Sequence, residues 1–295
     1  MIADELAPGV ARRGTPVGEL VASIADRLTS AGIHDAAAEA RDLVAAVVGA
    51  NRFWPRLHTD NVVSLEVATR ARTMAMRRAS GMPFAYAVGR AAFRHLTLHV
   101  NESVLIPRQE TEVLIDLILA RRATGTVADV GTGSGAIALA LASEGRYERI
   151  IATDIGRDAI DIARRNALDL ASELRGTIDL RTGDLLAPLA GEQLAVLVSN
   201  PPYIAFEEAA QLPAAVRDWE PAHALFSGGH GLDVTRRIIA GAPALLCSGG
   251  LLALEVDSRR ALQVAECAAA NGSFSQVEVH QDLQGRDRFV LAARP

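Results

Sequence analysis

Thr126-Val127-Ala128-Asp129-Val130-Gly131-Thr132-Gly133-Ser134-Gly135-Ala136-Ile137-Ala138-Leu139-Ala140-Leu141 reads as a strand, a turn with glycine at alternate positions, and an apolar helix. Glycine lets the backbone turn tightly and brings a ligand close to the helix amino terminus, where unpaired N–H groups gather. A Gly-rich turn is a weak signal alone; the flanking strand and helix give it meaning. The next strand, Arg149 to Thr153, ends about twenty residues on at Asp154, where a carboxylate can accept both hydroxyls of a ribose. A dinucleotide fingerprint needs its third glycine one residue later, where Ala136 stands. The GxGxG spacing favours a single nucleoside with an amino-acid tail, which points to S-adenosyl-L-methionine.

The same alternation continues downstream. A helix over Asp158–Leu170 leads to a third strand, Ile178–Arg181, which ends at Gly183-Asp184-Leu185. Asp184 is placed to accept an adenine amine and Leu185 to pack on the ring; ordinary turn residues at a strand end are the alternative. The fourth strand, Leu194–Ser199, ends at Asn200. Helices over Asp233–Leu246 and Arg259–Ala270 flank a fifth strand, Gly250–Val256. Gln276–His280 and Arg288–Ala292 follow as sixth and seventh strands, joined by a Gly285-containing link too short for a crossover helix, so that last pair is antiparallel. The predicted fold is α/β: a seven-stranded Rossmann-like sheet with helices on both faces, its last strand antiparallel, with the ligand along the strands' carboxyl ends. Residues 204–232 read as a long irregular loop or lid.

Asn200-Pro201-Pro202-Tyr203 sits at one of those carboxyl ends. Two prolines remove two backbone donors and fix two φ angles, which turns the nearby carbonyls outward. Asn200 adds a side-chain acceptor and donor, and Tyr203 a flat face. Together they suit a neutral planar amide or amine; a strand-ending turn is the plain alternative. Four strand ends converge: Gly131–Gly135, Asp154, Asp184 and Asn200.

Upstream the texture is helical. Thr15 is a candidate cap with Pro16 at the first helical position, and Leu20, Ile24 and Leu28 recur before Gly32. Further helices are expected from Asp35 to Gly49 and from Ser64 to Gly81, with a less regular stretch around Phe53, Trp54 and Leu57 and no strand. The first dozen residues read as a frayed arm. Val88–Arg90 and Leu96–Val100 suggest an antiparallel pair. Leu105-Ile106-Pro107-Arg108-Gln109-Glu110-Thr111-Glu112 is a charged loop before a helical run from Val113 to Leu119, and a candidate lid or substrate edge.

The chain has 295 residues, 49% hydrophobic and 22% charged, with a formal charge of −5. That describes an ordinary globular protein. All 30 basic residues are arginine. The acidic balance and absence of a basic tract argue against direct nucleic-acid binding. Cys247 and Cys267 lie among apolar neighbours without CxxC pairing and are expected to be buried hydrophobes in a reducing compartment. His34 and His58 lack a second ligand at metal spacing, so both are read as surface residues and no metal site is expected. Asp4, Glu5, Pro8 and Gly9 stand where a signal peptide needs an apolar core, and no apolar run is long enough to span a membrane. A cytoplasmic location is expected.

On these residues the chain resembles the peptide chain release factor N5-glutamine methyltransferases of bacteria over essentially its whole length. The resemblance is carried by Leu105-Ile106-Pro107-Arg108 with Thr111-Glu112, Gly131-Thr132-Gly133-Ser134-Gly135, Asp154, Asn200-Pro201-Pro202-Tyr203, Glu220-Pro221, Gly228-Gly229 with Gly231-Leu232-Asp233, and Gly285 with Asp287-Arg288. It implies methyl transfer from S-adenosyl-L-methionine, leaving S-adenosyl-L-homocysteine, to the glutamine of the Gly-Gly-Gln loop of class I release factors, in support of translation termination. It also implies a helical docking domain over 1–82, a hairpin linker over 83–106 and a methyltransferase domain over 107–295. Gly131, Thr132, Gly133, Ser134, Gly135, Asp154, Asp184, Leu185 and Asn200 would bind cofactor. Arg108, Asn200, Pro201, Pro202 and Tyr203 would bind substrate, with Asn200, Pro201 and Tyr203 catalytic. In this sequence Gln109 replaces a usual proline, Trp219 a tyrosine, Asp257 a glycine, and Leu185 an aromatic residue beside the adenine. Leu185 and Asp257 are the departures expected to reshape cofactor binding. The tetrapeptide also occurs in adenine methyltransferases, so an adenine-N6 methyltransferase acting on DNA or RNA is the alternative. A nicotinamide dehydrogenase is disfavoured by Ala136, and a binding protein with a degenerate catalytic fold by the intact motifs.

Overall fold

The computed structural model describes residues 14–295; the expected amino-terminal arm lies outside the described residues. Two compact units meet in sequence between Val88 and Gly89.

In the first unit, α1 (Val17–Ser30), α2 (Ala36–Val48) and α3 (Leu65–Ala79) share one core. Leu20, Ile24 and Leu28 of α1 pack with Leu43, Val44 and Val47 of α2 and with Ala68, Ala71 and Ala75 of α3. The small side chains on α3 let helix backbones approach closely. Gly49 ends α2 in a left-handed conformation, φ 74°. The Ser64 hydroxyl accepts the Val67 N–H at 3.3 Å to open α3. Two expectations need correction. Thr15 does not cap α1: Thr15–Pro16 pairs antiparallel with Val62–Val63, so a short ladder enters a region read as wholly helical, and Pro16 takes the cap position. His58 is no bare surface residue; its ring stacks on Trp54 at 4.8 Å and its Nδ1 bonds the Trp54 carbonyl.

The second unit opens with a hairpin, Arg90–Phe93 against Leu96–His99. Val88, expected in its first strand, instead ends a helical turn over Phe84–Val88. The sheet strands are β1 (Thr124–Val130), β2 (Arg146–Asp154), β3 (Thr177–Thr182), β4 (Leu194–Ser199), β5 (Leu246–Glu255), β6 (Gln276–Gln281) and β7 (Asp287–Ala293). Their order is β6-β7-β5-β4-β1-β2-β3. β1 to β5 pair parallel with one another, while β7 is antiparallel to both β5 and β6, as the short link required. Every residue of β4 is buried, as suits a central parallel strand covered on both faces.

Helices α4 (Gln109–Arg121), α5 (Ala136–Glu144) and α6 (Arg157–Asp169) follow in sequence, then α7 (Asp233–Leu245) and α8 (Ala261–Ala270). Leu114, Ile115 and Ile118 of α4 and nearly all of α5 pack on one sheet face; α7 and α8 cover the other. α4 begins earlier than the Val113 start expected. Gln109-Glu110-Thr111-Glu112 form its first turn, where carboxylates suit the positive helix end. Residues 204–232 carry no long element, as expected. They form short turns at Phe206–Gln211, Ala214–Arg217, Ala222–Leu225 and Gly228–Gly231, tied at their ends by an Ile204–Phe226 bridge and a Phe206–Phe226 ring stack at 5.5 Å. Cys247 and Cys267 are free thiols and half-buried rather than buried. Among the described residues no helix is long and apolar enough to cross a membrane.

Candidate active site

The adjacency of β4, β1, β2 and β3 brings their carboxyl ends to one edge, and a cleft of about 310 Å³ opens there. Gly131, Thr132, Gly133 and Ser134 form one wall, Asp154 and Ile155 another, and Gly183, Asp184 and Leu185 a third. Gly131, Gly133 and Gly135 all have positive φ (75°, 55° and 84°), so the turn needs glycine at each alternate position. Gly135 is the exception among the loop residues expected to hold cofactor. It does not line the cleft; its α-carbon faces Leu139 and Ala163, and it turns the chain into α5.

Two carboxylates shape this loop. Asp129, wholly buried, accepts the Thr132 hydroxyl at 2.6 Å and the Ala138 N–H at 3.2 Å. Burial, with a smaller push from the Asp154 charge, raises its carboxyl to about 7. Asp154 accepts the Gly133 N–H at 2.9 Å and the Gly156 N–H at 2.8 Å, one on each oxygen. Each oxygen keeps a second lone pair for a ligand hydroxyl. Beside it Thr153 borders the cleft, and its hydroxyl is buried with no hydrogen-bond partner. Asn166, also wholly buried, donates to the Ser134 carbonyl and exchanges two bonds with the His99 backbone, which ties the hairpin to the Gly loop.

Asp184 lines the cleft but is half-exposed and paired with Arg237, a partner not anticipated from sequence. Leu185 sits at φ 47°, a left-handed conformation that costs an L-residue roughly 1–2 kcal/mol. The turn at the end of β3 holds it there, with its residue against the cleft.

A second cavity, about 290 Å³, adjoins the first and shares Leu105, Arg108, Asn200 and Ala224 with it. Pro201 and Tyr203 line this second cavity, and Pro202 the first. Arg108 is held by Glu220, whose side chain is 1% exposed: the guanidinium donates at 2.6 Å, and the Ile106 N–H reaches the other oxygen at 3.4 Å. Burial, followed by the Glu255 charge, raises the Tyr203 phenol well above its ordinary value, so the ring stays neutral and serves as a face. Gly231 lies against this turn at φ 87°, and a Cβ there would stand 2.2 Å from the Tyr203 carbonyl oxygen; only glycine fits.

Sequence reasoning did not assign roles to Thr111, Thr153, Glu220, Glu255 or Arg237. Glu255 carried a readable signal, since a carboxylate that ends an apolar strand is the same pattern that marked Asp154.

Of the departures, Gln109 is exposed at the first position of α4, where a proline fits equally well. Asp257 does not line the cleft. Its carboxylate accepts from Arg259 at 2.6 Å and Arg260 at 2.9 Å, and Arg260 donates to Glu208, which accepts the Ala205 N–H. Asp257 thus anchors the chain just after Tyr203 rather than the cofactor side. Asp257→Gly is expected to cost about 1–2 kcal/mol of stability, read as a lower and salt-insensitive melting temperature. Cofactor affinity by calorimetry should stay within about twofold; a large loss would return Asp257 to the cleft. Among the described residues no group of three or more His, Cys, Asp or Glu is placed to hold a metal ion.

The sheet order, with a Gly loop after β1 and a carboxylate ending β2, defines a methyltransferase. The sequence model of the "Methyltransferase small domain" matches residues 108–229, and that of the "PrmC N-terminal domain" matches residues 19–89. A methyltransferase from Pyrococcus furiosus shares the fold, with a TM-score of 0.52 at 16% identity, covering 76% of this chain and 96% of that one. Among curated relatives, the release factor glutamine methyltransferase of Moorella thermoacetica is 46% identical over 74% of this chain and 77% of its own. That of Cereibacter sphaeroides is 40% identical over 91% of this chain and 95% of its own. The chain belongs to the release factor glutamine methyltransferase family.

Proposed function

We propose that the protein transfers a methyl group from S-adenosyl-L-methionine to the side-chain amide nitrogen of the glutamine in the Gly-Gly-Gln loop of class I peptide chain release factors, in the cytoplasm. Support comes from the family and from one geometric observation: the two cavities adjoin at Asn200, so one side chain borders a nucleoside-sized cleft and a separate acceptor cavity.

The donor set of the larger cleft fits the cofactor. Asp154 would take the ribose hydroxyls, the Gly131–Ser134 turn would admit the amino-acid tail, and Leu185 would cover the adenine with Asp184 at its edge. When bound, the cofactor supplies an electrophilic sulfonium methyl group. The chain's own work is on the acceptor. A glutamine amide nitrogen is a poor nucleophile because its lone pair is delocalised into the carbonyl. The Asn200 side-chain oxygen and the Pro201 carbonyl would accept its two N–H bonds and fix its direction. Tyr203 would lie along the amide plane. Fixing such a near-attack geometry contributes about 7–11 kcal/mol in favourable cases. Arg108, held by Glu220, would form the rim, and the amino-terminal domain over residues 1–82 would dock the release factor.

The test is mass spectrometry of a purified class I release factor after incubation with enzyme and cofactor. A gain of one methyl on the Gly-Gly-Gln peptide is expected. An unmodified peptide, with methyl found instead on adenine in duplex DNA or RNA, would overturn the assignment.

A further inference from the structure

Arg108 stands where a local rule disfavours it. It is the cap residue of α4, at the positive end of a helix dipole that suits carboxylates, and Glu110 and Glu112 in the next turn follow that rule. A guanidinium keeps its charge in a protein, so this cation cannot be shed. Leu105, Arg108, Asn200 and Ala224 line both cavities, and Arg108 is the charged member of that set. Asp154, Asp184 and Arg237 line the larger cleft but do not border the smaller cavity.

Glu220 meets that cation from another part of the chain. It lies between the short turns Ala214–Arg217 and Ala222–Leu225, and its backbone N–H donates to the Val216 carbonyl at 3.0 Å. One carboxylate oxygen accepts from Arg108 at 2.6 Å, and the other accepts the Ile106 N–H at 3.4 Å. The Glu220 side chain is 1% exposed and lines neither cavity, whereas that of Arg108 is 33% exposed. Burying a carboxylate is costly, and a charge-assisted bond to a guanidinium offsets that cost while screening the cation at short range. The pair thus places an arginine where the cavities adjoin with little net charge there.

We propose that Glu220 is a positioning residue that neutralises Arg108 at the junction of the two cavities, and so preserves the cleft's affinity for a cationic methyl donor relative to its uncharged product. The proposal rests on the reading of the larger cleft as the cofactor site. On that reading the methyl group crosses where the cavities adjoin, and donor and product differ by one positive charge on sulfur. Left unpaired, Arg108 would repel the donor and leave the product's affinity almost unchanged.

Calorimetry with S-adenosyl-L-methionine and with S-adenosyl-L-homocysteine, each without a release factor, tests it. Glu220→Gln keeps the side chain's shape and one acceptor oxygen. It should weaken the cationic ligand about tenfold and the neutral one no more than about twofold, and retained binding of the neutral ligand shows that the variant is folded. Adding Arg108→Gln removes the cation, and the ratio of the two affinities should return to within about twofold of wild type. Glu220→Asp, which keeps the charge and shortens the reach, should leave that ratio within about twofold even where both affinities fall. A packing role alone would weaken both ligands alike in Glu220→Gln. That result, a ratio not restored by Arg108→Gln, or a ratio shifted by Glu220→Asp would overturn the proposal. If the ratio shifts and returns as expected while wild type fails to methylate glutamine, the proposal stands and the assigned acceptor falls. Wild type that binds neither ligand would overturn the cofactor reading and the proposal with it.

Discussion

Asn200→Ala is expected to lower methyl transfer to the release factor by about three orders of magnitude or more, while cofactor affinity falls less than about fivefold. The asymmetry follows from where Asn200 sits. It borders the larger cleft, where the proposed cofactor groups are spread over the Gly loop, Asp154 and Leu185, and among the described residues it brings the only side-chain carboxamide to the proposed acceptor cavity. On the proposed reading, alanine removes an acceptor that only the reacting amide uses. The loss should therefore appear in kcat, read from the time course of the Gly-Gly-Gln peptide by mass spectrometry, with calorimetry as the check on the cofactor. Near-normal turnover would show that the amide is oriented by backbone carbonyls alone, and the assigned role of Asn200 would be wrong.

Asp154→Ala should do the reverse. Its carboxylate holds two backbone N–H groups, from Gly133 and Gly156, and is 8% exposed at the mouth of the cleft. Alanine leaves both N–H groups without that partner and removes the proposed acceptor for two ribose hydroxyls. Charge-assisted hydrogen bonds contribute about 1.5–3 kcal/mol each, so losing two predicts at least about a hundredfold weaker cofactor binding by calorimetry. Saturating cofactor should recover much of kcat, because nothing at Asn200 changes. Wild-type affinity in this variant would move the ribose elsewhere in the cleft.

Much of this was readable along the chain because the signals are local. Strand, Gly turn and helix around Gly131–Gly135 follow from apolar periodicity and from glycine's freedom at positive φ. Asp154 and Asn200 end apolar strands and Asp184 lies in the turn after an alternating one, and in a parallel sheet all such ends fall on one edge. What was not readable also shares a cause. Thr15 lost its capping role to a pairing with Val63, far along the chain. The 204–232 stretch lacks a long period, yet its short turns are fixed by contacts such as Phe206 on Phe226 and Arg260 on Glu208, which no local pattern encodes.

The amino-acid sequence by itself determined the α/β sheet and its antiparallel last strand, because periodicity, glycine placement and a short final link act between near neighbours, and its motifs carried the resemblance to the family. Only the tertiary structure decided how the motifs connect. It set Glu220 on Arg108, Asp257 on the arginines behind Tyr203 rather than on the larger cleft, and the Thr111 hydroxyl on Asn200. These links join residues distant in sequence through hydrogen bonds a few ångströms long. Such bonds depend on how strands and helices are laid side by side, and that arrangement exists only once the core has packed.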